Sequence, residues 1–164
     1  MDLKTFKSFF NQYYKSIRHF VYYKVGDIEL AEDLTQEAFV KFWEKRETIE
    51  VETAKSYLYT IANNLAINHI KRQGLLLNFI NRAPKKQESS ETPQYLMEVA
   101  EFDQQLQQAI ASLTENQRVV FLMNRIDELT YKEIAERLGL SVKAVEKRMH
   151  QALQQLRKAI KQKI

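Results

Sequence analysis

Apolar residues recur at three- and four-residue intervals from the first turn of the chain. Leu3, Phe6, Phe10, Tyr13, Ile17 and Phe20/Val21 share one face of a 3.6-residue helix, with Asp2 as a candidate cap before them and Gly26 as a stop after them. Asp27 can cap a second helix that turns Leu30, Leu34, Ala38 and Phe42 inward and leaves Asp33, Gln36, Glu37 and Lys41 outward. After a polar stretch from Glu44 to Glu52, Thr53 can cap a third helix running to about Arg72, with Leu58, Ile61, Ala62, Leu65 and His69 inward. Three such helices can close a small core.

The periodicity then lapses. Residues 73–100 hold both prolines and a KKQESSET tract, a composition that cannot bury enough apolar surface to order itself, although Leu75–Ile80 could pack as a short extension on the first body. The pattern resumes near Glu101 with Phe102, Leu106, Ala109/Ile110 and Leu113. Thr114 with Gln117, and Thr130 with Glu133, are spaced as capping boxes and mark two helix starts. From Thr130 the run TYKEIAERLGLSVKAVEKRMHQALQQLRKAI reads as a short helix ending at Gly139, a tight turn, and a long helix capped by Ser141. Ile134, Ala135, Leu138, Leu140, Val142, Val145 and Met149 are the apolar positions that would bury the crossing of these helices against Val119–Met123. The expected fold class is all-α: two small helical domains, 1–74 and 101–164, joined by a flexible linker, 75–100, with a helix-turn-helix in the C-terminal domain.

Composition narrows the chemistry. Three Gly and two Pro in 164 residues are too few for an all-β chain or for Gly-rich phosphate loops, and the absence of Cys excludes disulfides, thiolate zinc sites and cysteine nucleophiles. There is no apolar run of about 18 residues, so a cytoplasmic protein without membrane insertion is expected. His19, His69 and His150 are scattered, and Asp33 and Glu37, one turn apart, have no further ligands beside them. Neither an enzyme nor a metal or cofactor site is expected.

Charge separates the two bodies. The excess of 25 Lys+Arg over 21 Asp+Glu is modest, but from Lys143 onward only Glu146 offsets seven basic residues, the footprint of a phosphate-binding helix. Lys143, Ala144, Lys147, Arg148 and Gln151 lie on the outer side of the helix that Ser141 caps, and its first turns are what such a motif inserts into a major groove about 12 Å wide. A solvated helix face would carry similar charge. In the first body, Tyr57, Asn64, Asn68 and Lys71 share an outer face of the third helix, and an aromatic, two amides and a cation suit an unstacked single strand. An ordinary polar helix face would look the same in isolation.

Taken together, AEDLTQEAFVKFWEKR (31–46), SYLYTIANNLAINHIKR (56–72) and LTENQRVVFLMNRIDELTYKEIAERLGLSVKAVEKRMHQALQQLRK (113–158) resemble, in order and spacing, the extracytoplasmic-function sigma factors of the sigma-70 family. The resemblance implies a non-catalytic initiation subunit that binds core RNA polymerase through the β′ clamp helices and the β flap, recognises promoter DNA, and is held by an anti-sigma factor. It implies polymerase docking by Asp33, Gln36, Glu37 and Lys41. It also implies minus-10 recognition by Trp43, Tyr57, Asn64, Asn68, Lys71 and Arg72, and minus-35 recognition by Ser141, Lys143, Ala144, Lys147, Arg148 and Gln151. Family members often carry Arg where this chain has Asn63 and Asp where it has Asn68. The alternative is a stand-alone helix-turn-helix regulator, which would bind a duplex operator without polymerase and with a steep salt dependence.

Overall fold

The computed structural model describes residues 1–73 and 104–161, and all seven elements among them are helices. The expected linker and the extension at Leu75–Ile80 lie outside the described residues.

In the first body, α1 (Leu3–Val25) is capped by Asp2, whose carboxylate accepts from the Thr5 N–H at 2.8 Å. It ends at Gly26, whose φ of 68° lets its N–H turn back to the Tyr22 carbonyl, a conformation that a side chain would strain. The next residue, Asp27, caps α2 (Ile28–Glu44) by accepting from the Leu30 N–H, so a two-residue junction stops one helix and starts the next. Of the expected inner stripe of α2, Leu34, Ala38 and Phe42 are buried and Leu30 is half-buried, and the buried Ala31, Thr35 and Phe39 widen it. Thr35 is tolerated there because its hydroxyl donates to the Ala31 carbonyl at 2.6 Å.

The third helix, α3 (Val51–Gln73), departs from the sequence reading in two ways. It starts at Val51, and Thr53 is not its cap: the hydroxyl lies inside the first turn and donates to the Glu50 carbonyl at 3.2 Å. Its fully buried positions are Ala54, Leu58, Tyr59, Ala62 and Ala66, whereas Ile61, Leu65 and His69 are half-buried. The buried alanines Ala54, Ala62 and Ala66 let α3 lie close to α1 and α2, and larger side chains flank that contact. Tyr59 faces the second body.

In the second body, α4 (Gln104–Ala111) and α5 (Glu115–Arg125) pack with α6 (Tyr131–Leu138) and α7 (Val142–Lys161). Both capping boxes are closed, Thr114 with Gln117 and Thr130 with Glu133. The α6 helix stops at Gly139 with φ 66°, and Ser141 Oγ accepts from the Ala144 N–H at 3.1 Å to open α7. Ile134, Ala135, Val145 and Met149 are buried at the crossing. Val142 is 41% exposed and does not belong to that core. It is the first residue of α7, three positions before the fully buried Val145.

The two bodies pack on each other, an arrangement the sequence left open. Arg118, on the inner face of α5 and 1% exposed, reaches the end of α1. Its Nε donates to the Tyr23 carbonyl at 2.7 Å, and its two terminal nitrogens donate to Lys24 and Leu113 carbonyls at 3.2 Å each. Carbonyls in a helix's last turn lack intrahelical donors, so one guanidinium satisfies α1 and fastens the bodies together. Asp127, in the turn after α5, lies 2.5 Å from His19 Nδ1 and accepts from the Tyr23 hydroxyl at 3.0 Å. Lys24 pairs with Glu115, Lys55 with Glu136, and Arg137 donates to the Tyr59 hydroxyl at 3.1 Å.

Candidate nucleic-acid interface

The helix-turn-helix presents its charge where the sequence places it. Lys143, Lys147 and Gln151 are exposed on α7, while Ala144 and Arg148 are half-buried along the same side. Ser141 is exposed, and its hydroxyl oxygen is engaged as the helix cap. The first turn of α7 carries no acidic residue, so its free N–H groups and Lys143 give that end a positive potential suited to a DNA phosphate.

On α3, Tyr57, Asn64, Asn68, Lys71 and Arg72 are all exposed, and Tyr57 retains 36% of its surface to solvent. An exposed phenol ring on a helix face with amides two and three turns further on can stack a base and meet its edge. Trp43 stands apart from this set. Its indole is half-buried, 4.8 Å from the Phe6 ring between centroids, and Arg46 lies over it at 4.2 Å. Those contacts hold the end of α2 and the following turn against α1, which fixes where α3 begins.

A third face is on α2. Asp33, Gln36, Glu37 and Lys41 are exposed, with Glu37 and Lys41 3.7 Å apart as an i,i+4 pair. Val40, 57% exposed on the same side, was missed because an apolar residue outside the inner stripe has no periodic signature. Behind this face, Glu32 accepts from the Tyr14 hydroxyl at 2.5 Å and from Arg18 at 3.1 Å. Burial works against the Glu32 carboxylate, but the Tyr14 and Arg18 hydrogen bonds outweigh it and hold its pKa below the usual value. Behind the α2 face, Glu32 is therefore held ionised and paired with Arg18.

The residues that join the two bodies, Arg118, His19, Asp127, Tyr59 and Arg137, eluded sequence reasoning because only tertiary contact brings them together. An arginine among the valines of α5 was the one available signal. No group of three potential metal ligands occurs among the described residues, and no helix among them is long and apolar enough to cross a membrane.

Comparison with known proteins accounts for both bodies. Residues 9–75 match the family model for sigma-70 region 2, and residues 103–156 match that for sigma-70, region 4. The chain is 27% identical to RNA polymerase sigma factor YlaC of Bacillus subtilis, over 94% of this chain and 91% of that protein. It is also 27% identical to the ECF RNA polymerase sigma factor SigW of the same organism, over 98% and 91%, and 29% identical to the ECF RNA polymerase sigma-E factor of Escherichia coli, over 99% and 88%. Among solved structures, the fold is similar to the Bartonella quintana sigma factor RpoE, crystallised with the anti-sigma factor NepR. That match has a TM-score of 0.67 and 22% identity and covers 97% of this chain and 98% of the other. With regions 2 and 4 in order and both bodies accounted for, the chain belongs to the sigma-70 family as an extracytoplasmic-function, promoter-directing sigma factor.

Proposed function

We propose that the three exposed faces divide the work of initiation. The α2 face, Asp33, Gln36, Glu37 and Lys41 with Val40 at its centre, docks on core RNA polymerase at the β′ clamp helices, an apolar contact rimmed by charge. The outer face of α3, through Tyr57, Asn64, Asn68, Lys71 and Arg72, receives the minus-10 element, with Tyr57 stacking an unpaired base. Trp43 acts there through the turn it anchors on Phe6. The first turns of α7, with Ser141, Lys143, Ala144, Lys147, Arg148 and Gln151, enter the major groove at the minus-35 element, and the second body meets the β flap.

The observation that carries this reading is the placement of the three faces on one chain of regions 2 and 4, each exposed and each chemically distinct. A stand-alone regulator leaves the region 2 match and the exposed α2 face without a role. The protein makes and breaks no bond itself, acts in the cytoplasm, where polymerase and chromosome are, and requires no cofactor. An anti-sigma partner belongs to the same proposal, in keeping with the RpoE relative solved with NepR.

Run-off transcription with core polymerase on a library of upstream sequences tests the reading. Starts at a shared two-element motif, dependent on added protein, are expected; random starts unaffected by the protein would overturn it.

A further inference from the structure

One cavity, of about 220 Å³, opens between the two bodies. Its walls come from five helices, and its polar groups include Lys24, Asn63, Asn116, Arg137 and Arg148 against the aromatic rings of Phe20 and Tyr59. Arg148 makes no hydrogen bond or ion pair among the described residues, and the same holds for the Asn63 and Asn116 amides. Among the described residues Arg137 hydrogen-bonds only the neutral Tyr59 hydroxyl, and it lies over that ring at 5.8 Å. Lys24 is paired with Glu115, and Glu133 and Glu136 on α6 lie within the field of Arg137, so the acidic groups sit with Lys24 and Arg137 and leave Arg148 uncompensated.

The geometry points to a binding site for a small phosphate-type anion, inorganic phosphate or pyrophosphate, that bridges the two bodies. The volume is below the range of about 300–1,000 Å³ of sites that enclose a larger ligand, which favours an anion of few atoms. A tetrahedral anion presents oxygens in several directions, as donors carried on separate helices require, and guanidinium groups match it well. Burial pushes the Lys24 ammonium down from its ordinary pKa, the Glu115 carboxylate opposes this, and the nearby Arg148 and Arg118 charges add to the depression. Occupancy would favour the packed arrangement, since the anion contacts both bodies and would lose the donors of one if they separated. It would also withhold Arg148 from DNA, a consequence that rests on the promoter reading; the binding itself does not.

The test uses the full chain titrated with inorganic phosphate and with pyrophosphate, ionic strength being matched with chloride, followed by phosphorus NMR line broadening and by thermal unfolding. Saturable one-to-one binding with a matching rise in Tm is expected. Arg148→Gln should weaken it by at least about tenfold, as loss of a charged hydrogen-bond donor implies. Asn116→Asp, at an exposed first-turn position of α5 that tolerates an acid, should weaken it similarly by placing a negative charge at the rim. Non-saturable broadening, or equal affinity in the wild type and both folded variants, would overturn the site and reduce the effect to general salt stabilisation.

Discussion

Arg118 holds three carbonyls with one buried side chain, and two of them belong to the other body. Arg118→Met keeps much of the volume but leaves the Tyr23, Lys24 and Leu113 carbonyls without that donor. At about 1–3 kcal/mol for each buried group left unsatisfied, a loss of at least about 3 kcal/mol is expected from urea denaturation; a loss below about 1 kcal/mol would show that water replaces the guanidinium. Gly139 supplies a contrasting case. A Cβ there would meet nothing within 4 Å, so Gly139→Ala costs only the strain of φ 66°, about 1 kcal/mol. Gly139→Asn should cost less, because Asn visits the left-handed region more readily. At the DNA face, Arg148→Ala should weaken binding to a minus-35 duplex by about 1–3 kcal/mol if the side chain reads a base, and leave it unchanged if it does not.

The helices were legible in the sequence where stop and start signals are local. Asp2, Gly26, Asp27, Thr114, Thr130, Gly139 and Ser141 each act within four residues of themselves, and each is found in its expected place. The start of α3 was misread because Thr53 resembles a cap, yet its hydroxyl bonds back to the Glu50 carbonyl inside the helix. The face of α3 that meets the second body was also hidden. Tyr59 reads like any amphipathic residue until Arg137, nearly eighty positions away, is found on its hydroxyl. The outward faces were legible for the opposite reason: exposure follows from periodicity alone, as it does for the α2 set and for Tyr57, Asn64, Asn68 and Lys71. On α2, reversing Asp33 and Glu37 to Arg should leave the far-ultraviolet circular dichroism unchanged, since both side chains are exposed. A helix that melts in the variant would show that these carboxylates support the fold and not a partner.

At the scale of the molecule, the two bodies share buried polar contacts and should unfold together. Tyr59 at their junction is pushed up to about 12 from its ordinary value near 10, chiefly by burial. Tyr22, beside Asp27, is likewise pushed to about 12, with burial the larger cause. A folded pKa above the unfolded one stabilises fully below pH 10 and ceases to do so as pH rises through 12, so stability should fall across that window. For the buried Tyr59 the two-unit difference corresponds to roughly 3 kcal/mol. Phenolate absorbance should show a late-titrating class coincident with loss of helix; titration of every tyrosine near 10 in the folded protein would contradict the packed junction. The central claim is that the chain engages polymerase through α2. It is tested most directly by co-elution of the full protein with core RNA polymerase from its own source, beside the Asp33→Arg, Glu37→Arg double variant. A stable complex with the wild type, lost in the folded variant, is predicted; equal retention of both would contradict the α2 face, and absence of binding by the folded wild type would contradict the sigma factor mechanism itself.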